Sequence, residues 1–252
     1  MNLTILTALG VGGATVIGAL IGFMFKKISH KFSDYVLSFA AGVMLAAAVI
    51  GLVLPSIESG GAFAPLVTVV GVICGALMLN IIDKIVPHLH KLAGAEIEAH
   101  SEASQRINKI MLFVLAIAIH NFPEGIAAGV GLGSGNVSQA LTISLGIALQ
   151  NIPEGMVIIS PMLASGISKS RTLLIAMLTG VVEVIGTFIG SFAVGFSQGI
   201  LPFALAFAGG TMLYIVSDEM IPETHAHGNE RGSTYSLLFG FLLMLIVDFY
   251  LG

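Results

Sequence analysis

The sequence predicts an all-α integral membrane protein in which eight transmembrane helices form a 3+2+3 arrangement. Three observations predict this class: an apolar composition, a one-sided distribution of positive charge, and an internal repeat in inverted orientation. Of the 252 residues, 56% are hydrophobic and only 10% are charged, which is far too apolar for a soluble domain. We therefore expect one transmembrane domain over 1–252, with the lipid bilayer as its surroundings.

Apolar segments long enough to cross a bilayer, about 20 residues each, recur along the chain. The eight predicted spans are 3–25, 35–57, 63–83, 109–132, 138–161, 172–195, 199–221 and 234–251. The polar segment at 85–108 carries mixed charge, and its composition and length predict a mobile cytoplasmic loop without a core of its own.

All ten Lys and Arg residues fall on one side of the predicted spans. They are Lys26, Lys27, Lys31, Lys84, Lys91, Arg106, Lys109, Lys169, Arg171 and Arg231. The loops of the other side, near 58–62, 133–137 and 196–198, contain none. Because positively charged loops stay in the cytoplasm, both termini are predicted outside, and the even number of spans is supported. The net charge of −4 does not suggest a nucleic-acid partner.

A shift of 168 residues aligns two pairs of spans. In the second and seventh spans, 39–45 and 207–213 are identical at five of seven positions. In the first and sixth spans, Gly12 aligns with Gly180. According to the charge pattern, the aligned spans cross the membrane in opposite directions. The sequence therefore predicts an inverted repeat of spans 1–3 and 6–8 around spans 4 and 5. The third and eighth spans are too dissimilar in sequence to add support. Such repeats are typical of secondary transporters, whose substrate sites lie between the halves.

One motif occurs twice in the middle pair of spans. Residues 120–125 and 150–155 both read as a polar residue, Asn, an apolar residue, Pro, Glu and Gly. Proline lacks an N–H and clashes with the carbonyl four residues earlier, so each motif is expected to bend its helix and free a carbonyl oxygen. In hydrocarbon that oxygen needs a partner, which an ion, water or a neighbouring hydroxyl could supply.

The polar residues of the motifs have the spacing of ion ligands. On a helix, His120 and Glu124 lie about 40° and one turn apart, so both can contact one ion. The same holds for Gln150 and Glu154. The motif asparagines face an adjacent sector about 100° away, which could hold a second ion; they are Asn121 and Asn151.

Three carboxylates lie in the interior of spans: Glu124, Glu154 and Glu183, the last standing where the first span has Thr15. A charge at this depth costs about 2.5–3.5 kcal/mol, and no Lys or Arg in a span interior can pair with it. These groups must be protonated or neutralised by a cation. Imidazole, amide and carboxylate ligands without a thiolate suit Zn, Mn, Fe or Co, and they argue against a dedicated Ca site.

Other candidate ligands lie outside the motifs. Met44 is interpreted as a packing residue, because a thioether is a soft and weak donor. The inner end of span seven is either a solvated helix end or a metal exit site, and its candidates are Asp218, Glu219, Glu223, His225 and His227. In the predicted loop, His88 and His90 could capture metal, but a solvated loop is the favoured interpretation.

In combination, these residues resemble the ZIP family of divalent-metal transporters, and more closely its bacterial GufA-like branch. The resemblance covers nearly the whole chain and depends on the two motifs, the acid of span six and the ending of span seven at 218–225. It implies import of metal toward the cytoplasm, a place in the inner membrane, assembly as a homodimer and elevator-like movement.

The resemblance also implies two ligand sets. One ion would be held by His120, Glu124, Gln150 and Glu154, with Met44 as a thioether neighbour. A second would be held by Asn121, Glu124, Asn151, Glu154 and Glu183. Asn151 departs from two-metal members of the family that have an acid at this position, so the occupancy of the second site is an open question.

The favoured hypothesis is a passive or weakly coupled importer of Zn, with Fe, Mn and Cd as further substrates. The chain has no nucleotide-binding motif, and no resident cofactor or enzymatic activity is expected. Two alternatives stay open. An intramembrane metallohydrolase could use the same ligands, although the sequence lacks His-Glu-x-x-His. A proton-linked transporter of another solute could use the glutamates as relays.

Overall fold

The computed structural model describes residues 2–25, 28–59, 61–94 and 102–252, with side chains described except at 2, 83, 85–94, 102–114 and 116. Across these residues there is no strand. The α-helices are α1 (Asn2–Gly22), α2 (His30–Ala46), α3 (Leu54–Ser59), α4 (Ala64–Gly94), α5 (Glu102–Gly133), α6 (Val137–Ala164), α7 (Lys169–Phe196), α8 (Leu201–Ile215), α9 (Ile221–Thr224) and α10 (Glu230–Leu251). Short 3₁₀ turns at Gly61–Phe63 and Gln198–Ile200 precede α4 and α8.

Seven helical segments in the described part of the chain are long and apolar enough to cross a membrane. They are Leu3–Gly22, His30–Ser59, Gly61–Ile82, Val137–Ala164, Lys169–Phe196, Gln198–Thr224 and Glu230–Leu251. The fourth predicted span falls in α5, a helix of 32 residues, and the side chains in the first part of that helix lie outside the description. The prediction of an all-helical, multi-pass membrane protein is confirmed.

The extent of the predicted loop at 85–108 is wrong. Helix α4 continues through Gly94 and α5 begins at Glu102, so most of this segment is helical. The reason is that polarity predicts where a helix leaves the bilayer, not where it ends: Leu, Ala, Glu and Lys are good helix formers in water as well as in lipid. The side chains of His88 and His90 lie outside the described residues.

The second and seventh spans are each interrupted by a π-helical segment, which the sequence did not predict. Ala47–Val53 joins α2 to α3, and Val216–Met220 joins α8 to α9. A proline, Pro55 or Pro222, is the second residue of the α-helix that follows. The wider π turn makes room for a proline ring that would clash with the carbonyl four residues earlier. Such turns are frequent at functional sites.

Helices pack most extensively in four pairs: α1 with α6, α5 with α7, α2 with α10, and α4 with α8. Helices α1 and α7 also pack together, and there a Cβ on Gly12 or Gly180 would lie 2.5 Å from the other's carbonyl oxygen. Gly18 likewise lies against the carbonyl of Ile152, and Gly186 against that of Phe122. Small residues therefore let α1, α5, α6 and α7 approach closely, and the polar motifs lie within this group.

Candidate metal centre

The glycine that ends each motif determines which helix lies against it. Gly125 on α5 faces the carbonyl oxygen of Glu183, and Gly155 on α6 faces that of Thr15, each too closely for a Cβ. Both contacts are with backbone, which cannot move aside as a flexible side chain can. The motif glycines therefore bring α7 and α1 directly against the motifs, and α7 carries the third acid to the same place.

The motif side chains are buried in the interior of the molecule. The exposed fraction is at most 1% for Asn121, Glu124, Gln150, Asn151 and Glu183, and it is 7% for Glu154. His120 is partly buried, with 13% of its side chain exposed. These polar side chains are therefore covered by neighbouring helices, not exposed on the lipid-facing surface.

Several of these buried atoms have no hydrogen-bond partner among the described residues. They are both carboxylate oxygens of Glu124, both amide atoms of Gln150, and the side-chain oxygens of Asn121 and Asn151. Gln150 lies close to Glu124, but neither of its amide atoms makes a hydrogen bond of ordinary geometry. An unpaired buried polar group costs about 1–3 kcal/mol, and a charged one costs more. A cation among them would satisfy the oxygen atoms of this group together, but not the N–H₂ of Gln150, which can only donate.

The carboxylates are close enough to influence one another electrostatically. Glu154 and Glu183 both lie within electrostatic range of Glu124, and His120 lies within that range of Glu154. Within the described residues, no three His, Cys, Asp or Glu side chains converge as a ready-made ligand set. Binding an ion would therefore use the amide oxygens as well, or small side-chain rotations. Met44 is fully buried in the apolar core.

Glu183 differs from Glu124 because both of its carboxylate oxygens accept hydrogen bonds. Asn151 Nδ2 donates to one oxygen, and Thr15 Oγ1 donates to the other over 3.3 Å. The sequence repeat aligned Thr15 with Glu183, and the structure brings these two positions into contact.

His120 is paired with one of the residues predicted at the inner end of span seven. Its Nε2 atom lies 2.7 Å from Oε2 of Glu219. Both line a cavity of about 520 Å³, together with Glu154, Asp218 and Glu223. The predicted exit acids and two predicted metal ligands therefore share one cavity. The direct contact with Glu219 was not predicted, because the rotational position of Glu219 depends on the π turn in which it lies.

The two histidines of the predicted exit site do not line this cavity, as far as the structure describes it. His225 Nδ1 is 2.8 Å from the carbonyl oxygen of Ile221, and its Nε2 is 3.1 Å from Thr234 Oγ1. His227 Nδ1 is 3.0 Å from Oδ1 of Asp34, a buried carboxylate at the start of α2. The His225 contacts join α9 to α10, and the His227 contact holds the turn between them against α2.

Replacing His227 with alanine is expected to lower stability rather than transport. Asp34 would lose one of its donors, which should cost about 1 kcal/mol for a pair that is partly solvated. Circular dichroism melting in detergent should show a lower Tm, while the zinc uptake rate per folded molecule stays within about twofold of wild type. The comparison variant is Glu223→Ala, which alters the cavity and should show the opposite pattern. A tenfold loss of uptake in folded His227→Ala protein would instead support the exit role.

The sequence was compared with known proteins. The family model described as "ZIP Zinc transporter" matches residues 90–248. The zinc transporter GufA of Myxococcus xanthus is 39% identical over 258 residues, with complete coverage of both chains. The zinc transporter ZIPB of Bordetella bronchiseptica is 36% identical over 255 residues, covering 95% of this chain and 78% of its own. Human zinc transporter ZIP11 is 33% identical, covering 95% and 94%. These relatives are named as transporters, not as enzymes.

Proposed function

Because the chain belongs to the ZIP family and is GufA-like, we propose that it imports divalent transition-metal cations, zinc above all, across the inner membrane toward the cytoplasm. The observation that carries this proposal is the group of buried, unpaired polar atoms where α5 and α6 meet. Fully buried carboxylate and amide atoms without partners are costly in any protein, and a bound cation turns that cost into ligation.

The transported ion is bound by His120, Glu124, Gln150 and Glu154. Glu124 and Gln150 contribute atoms that have no other partner among the described residues, and His120 and Glu154 contribute atoms at the edge of the cavity. In the structure, Glu219 is in contact with His120 Nε2. When the ion binds, either Glu219 and His120 both contact it, or His120 leaves Glu219 to bind the ion. Iron, manganese and cadmium suit the same ligand types.

The ion leaves through the cavity that joins the site to Asp218, Glu219 and Glu223. Ala226, in the turn between α9 and α10, also lines this cavity, and the charge of Arg231 at the start of α10 assigns that turn to the cytoplasm. A second cavity of about 460 Å³ lies beside Glu58 and the C-terminal Gly252, on the side assigned to the exterior, and no motif residue is among those described as lining it. These two cavities support an inward-open state, in the orientation that the charge pattern predicts, with both termini outside.

An inverted 3+2+3 repeat builds this site, and paired contacts support it. Asn151 Nδ2 donates to the carbonyl of Val11, and Asn121 Nδ2 donates to the carbonyl of Thr179; these two acceptors are 168 positions apart, the shift of the sequence repeat. Ser56 and Thr224, which are also 168 positions apart, each hydrogen-bond to a hydroxyl on the neighbouring helix: Ser56 Oγ to Thr68, and the backbone carbonyl of Thr224 to Ser233.

Purified protein in proteoliposomes tests the proposal. Zinc added outside should enter the vesicles only when the protein is present, without ATP, and Fe, Mn and Cd should compete. Crystals soaked in zinc should show an anomalous peak near Glu124. Absence of both uptake and the peak at saturating zinc would contradict metal transport and favour the proton-linked alternative. Cleavage of a peptide that requires metal and Glu154 would favour the hydrolase.

A further inference from the structure

The third intramembrane acid is hydrogen-bonded in a way that the other two are not. Glu183 is fully buried, yet it accepts hydrogen bonds from Asn151 Nδ2 and from Thr15 Oγ1 at 3.3 Å. Glu124, equally buried, has neither oxygen paired among the described residues. The family resemblance assigns both acids to one binuclear centre, but their hydrogen bonding differs. The oxygens of Glu124 are free to bind a cation, whereas those of Glu183 already accept two hydrogen bonds.

The orientation of the Asn151 amide follows from its surroundings. Its Nδ2 atom faces two acceptors, the carbonyl oxygen of Val11 at 3.2 Å and a carboxylate oxygen of Glu183. Turning the amide over would place Oδ1 against the carbonyl oxygen of Val11, which has no proton to give. Only the N–H₂ group suits that side, so Asn151 presents donors toward Glu183, where a metal ligand would have to present a lone pair.

The backbone around this hydrogen-bonded group has little freedom to rearrange. Gly155, one turn after Asn151, lies directly against the carbonyl of Thr15. Gly125 lies equally close to the carbonyl of Glu183. Because both ends of the Thr15–Glu183 contact are held by backbone packing, a cation cannot separate them without moving α1 or α7.

The corresponding position of the other motif provides an internal comparison. Asn121 Nδ2 donates to the carbonyl of Thr179 at 3.4 Å, just as Asn151 Nδ2 donates to that of Val11. The residue related to Glu183 by the repeat is Thr15, which carries no charge. Asn151 therefore has a second function that Asn121 does not share, which is to hold a carboxylate.

We propose that this chain binds a single transported cation, and that Asn151 is a positioning residue whose N–H₂ group takes the place that a second cation would occupy beside Glu183. Glu183 is then a hydrogen-bonded anchor between α1, α6 and α7, not a metal ligand. This inference rests on the proposed function. It deepens that function, because it sets the number of ions that the site holds and corrects the second ligand set implied by the family resemblance.

The change from Asn151 to aspartate tests the idea most directly. An aspartate would face Glu183 and the Val11 carbonyl without a proton donor, which is an arrangement of oxygens that a divalent cation satisfies. Asn151→Asp should therefore add a metal site that the natural chain lacks. A residue that merely supported the fold would not raise the number of bound ions when it was replaced.

Zinc bound per chain, measured by mass spectrometry of the metal in detergent-purified protein, is expected to be about one for the wild type and about two for Asn151→Asp. Glu183→Gln should keep about one zinc, with an affinity within about threefold of wild type, whereas Glu124→Gln should bind none. Circular dichroism melting identifies any variant that fails to fold. Thr15→Ser, which keeps the hydroxyl, is the matched control and should behave as wild type.

Three results would overturn this inference. They are two zinc ions per wild-type chain, loss of zinc in folded Glu183→Gln protein, and an Asn151→Asp variant that still binds one. Each would leave the proposed transport function standing. A wild-type chain that binds no zinc at saturation would instead remove the proposed function, and this inference with it.

Discussion

Replacing Glu124 with glutamine is expected to abolish zinc uptake while making the folded protein more stable. Glu124 is fully buried and both of its carboxylate oxygens lack a partner among the described residues. The amide keeps the shape but removes the charge, so the ion loses its central ligand and uptake should fall by at least about 100-fold. A glutamate buried without metal must be neutralised by a proton, whereas glutamine is neutral from the start, so the Tm without metal should rise.

Uptake into proteoliposomes and circular dichroism melting, each with and without zinc, measure the two effects together. The control is Glu230→Gln, the same change at an exposed position in the first turn of α10, which should alter neither quantity. Zinc should raise the Tm of the wild type and of the control but not that of Glu124→Gln. A Glu124→Gln variant that retains more than about a tenth of wild-type uptake would contradict the assigned role.

Filling the inner cavity with a tryptophan at Val157 is expected to stop the passage of metal without removing its binding site. Val157 lies on α6 one turn after Glu154, is 6% exposed, and lines the cavity of about 520 Å³ that connects the site to Glu219 and Glu223. A large ring there should narrow the path and lower the uptake rate at least about tenfold. Zinc binding at equilibrium should persist, because no ligand is changed.

The matched control is Ile185→Trp on α7, where the wild-type side chain is 49% exposed toward the surface of the helix bundle. It introduces the same ring but does not touch the cavity. Val157→Ala, which widens the path, should transport at least as fast as the wild type. Normal uptake by a folded Val157→Trp protein would show that the ion leaves by another route.

Much of the fold could be predicted because hydrophobicity and charge placement act locally along a membrane chain. A segment of about 20 apolar residues must cross the bilayer whatever its neighbours are, so the positions of most helices follow directly. The spacing of His120 and Glu124 likewise depends only on the geometry of the helix that carries them. The interruptions of the second and seventh spans could not be read in this way, because a π turn leaves the apolar composition unchanged.

The exit site at the inner end of span seven could be predicted only in part. The sequence grouped Asp218, Glu219, Glu223, His225 and His227 as one exit site, since all lie close together along the chain. In the structure the three acids line the cavity, whereas the histidines make hydrogen bonds in the turn that follows α9. Proximity in sequence does not determine which side of a turn a residue faces, and the extra residue of the π segment changes that direction.

By itself, the sequence determined that this chain crosses a membrane many times, that two related motifs carry costly polar groups into its interior, and that a proton or a cation must neutralise the carboxylates among them. These conclusions follow from the free-energy cost of burying a polar or charged side chain in the membrane, which depends on the residue type and not on its neighbours in the fold. Only the tertiary structure decided that Asn151 turns its N–H₂ toward Glu183. The direction of an amide depends on acceptors that other helices supply, here the carbonyl of Val11 and the carboxylate of Glu183, and these meet only when α1, α6 and α7 pack together.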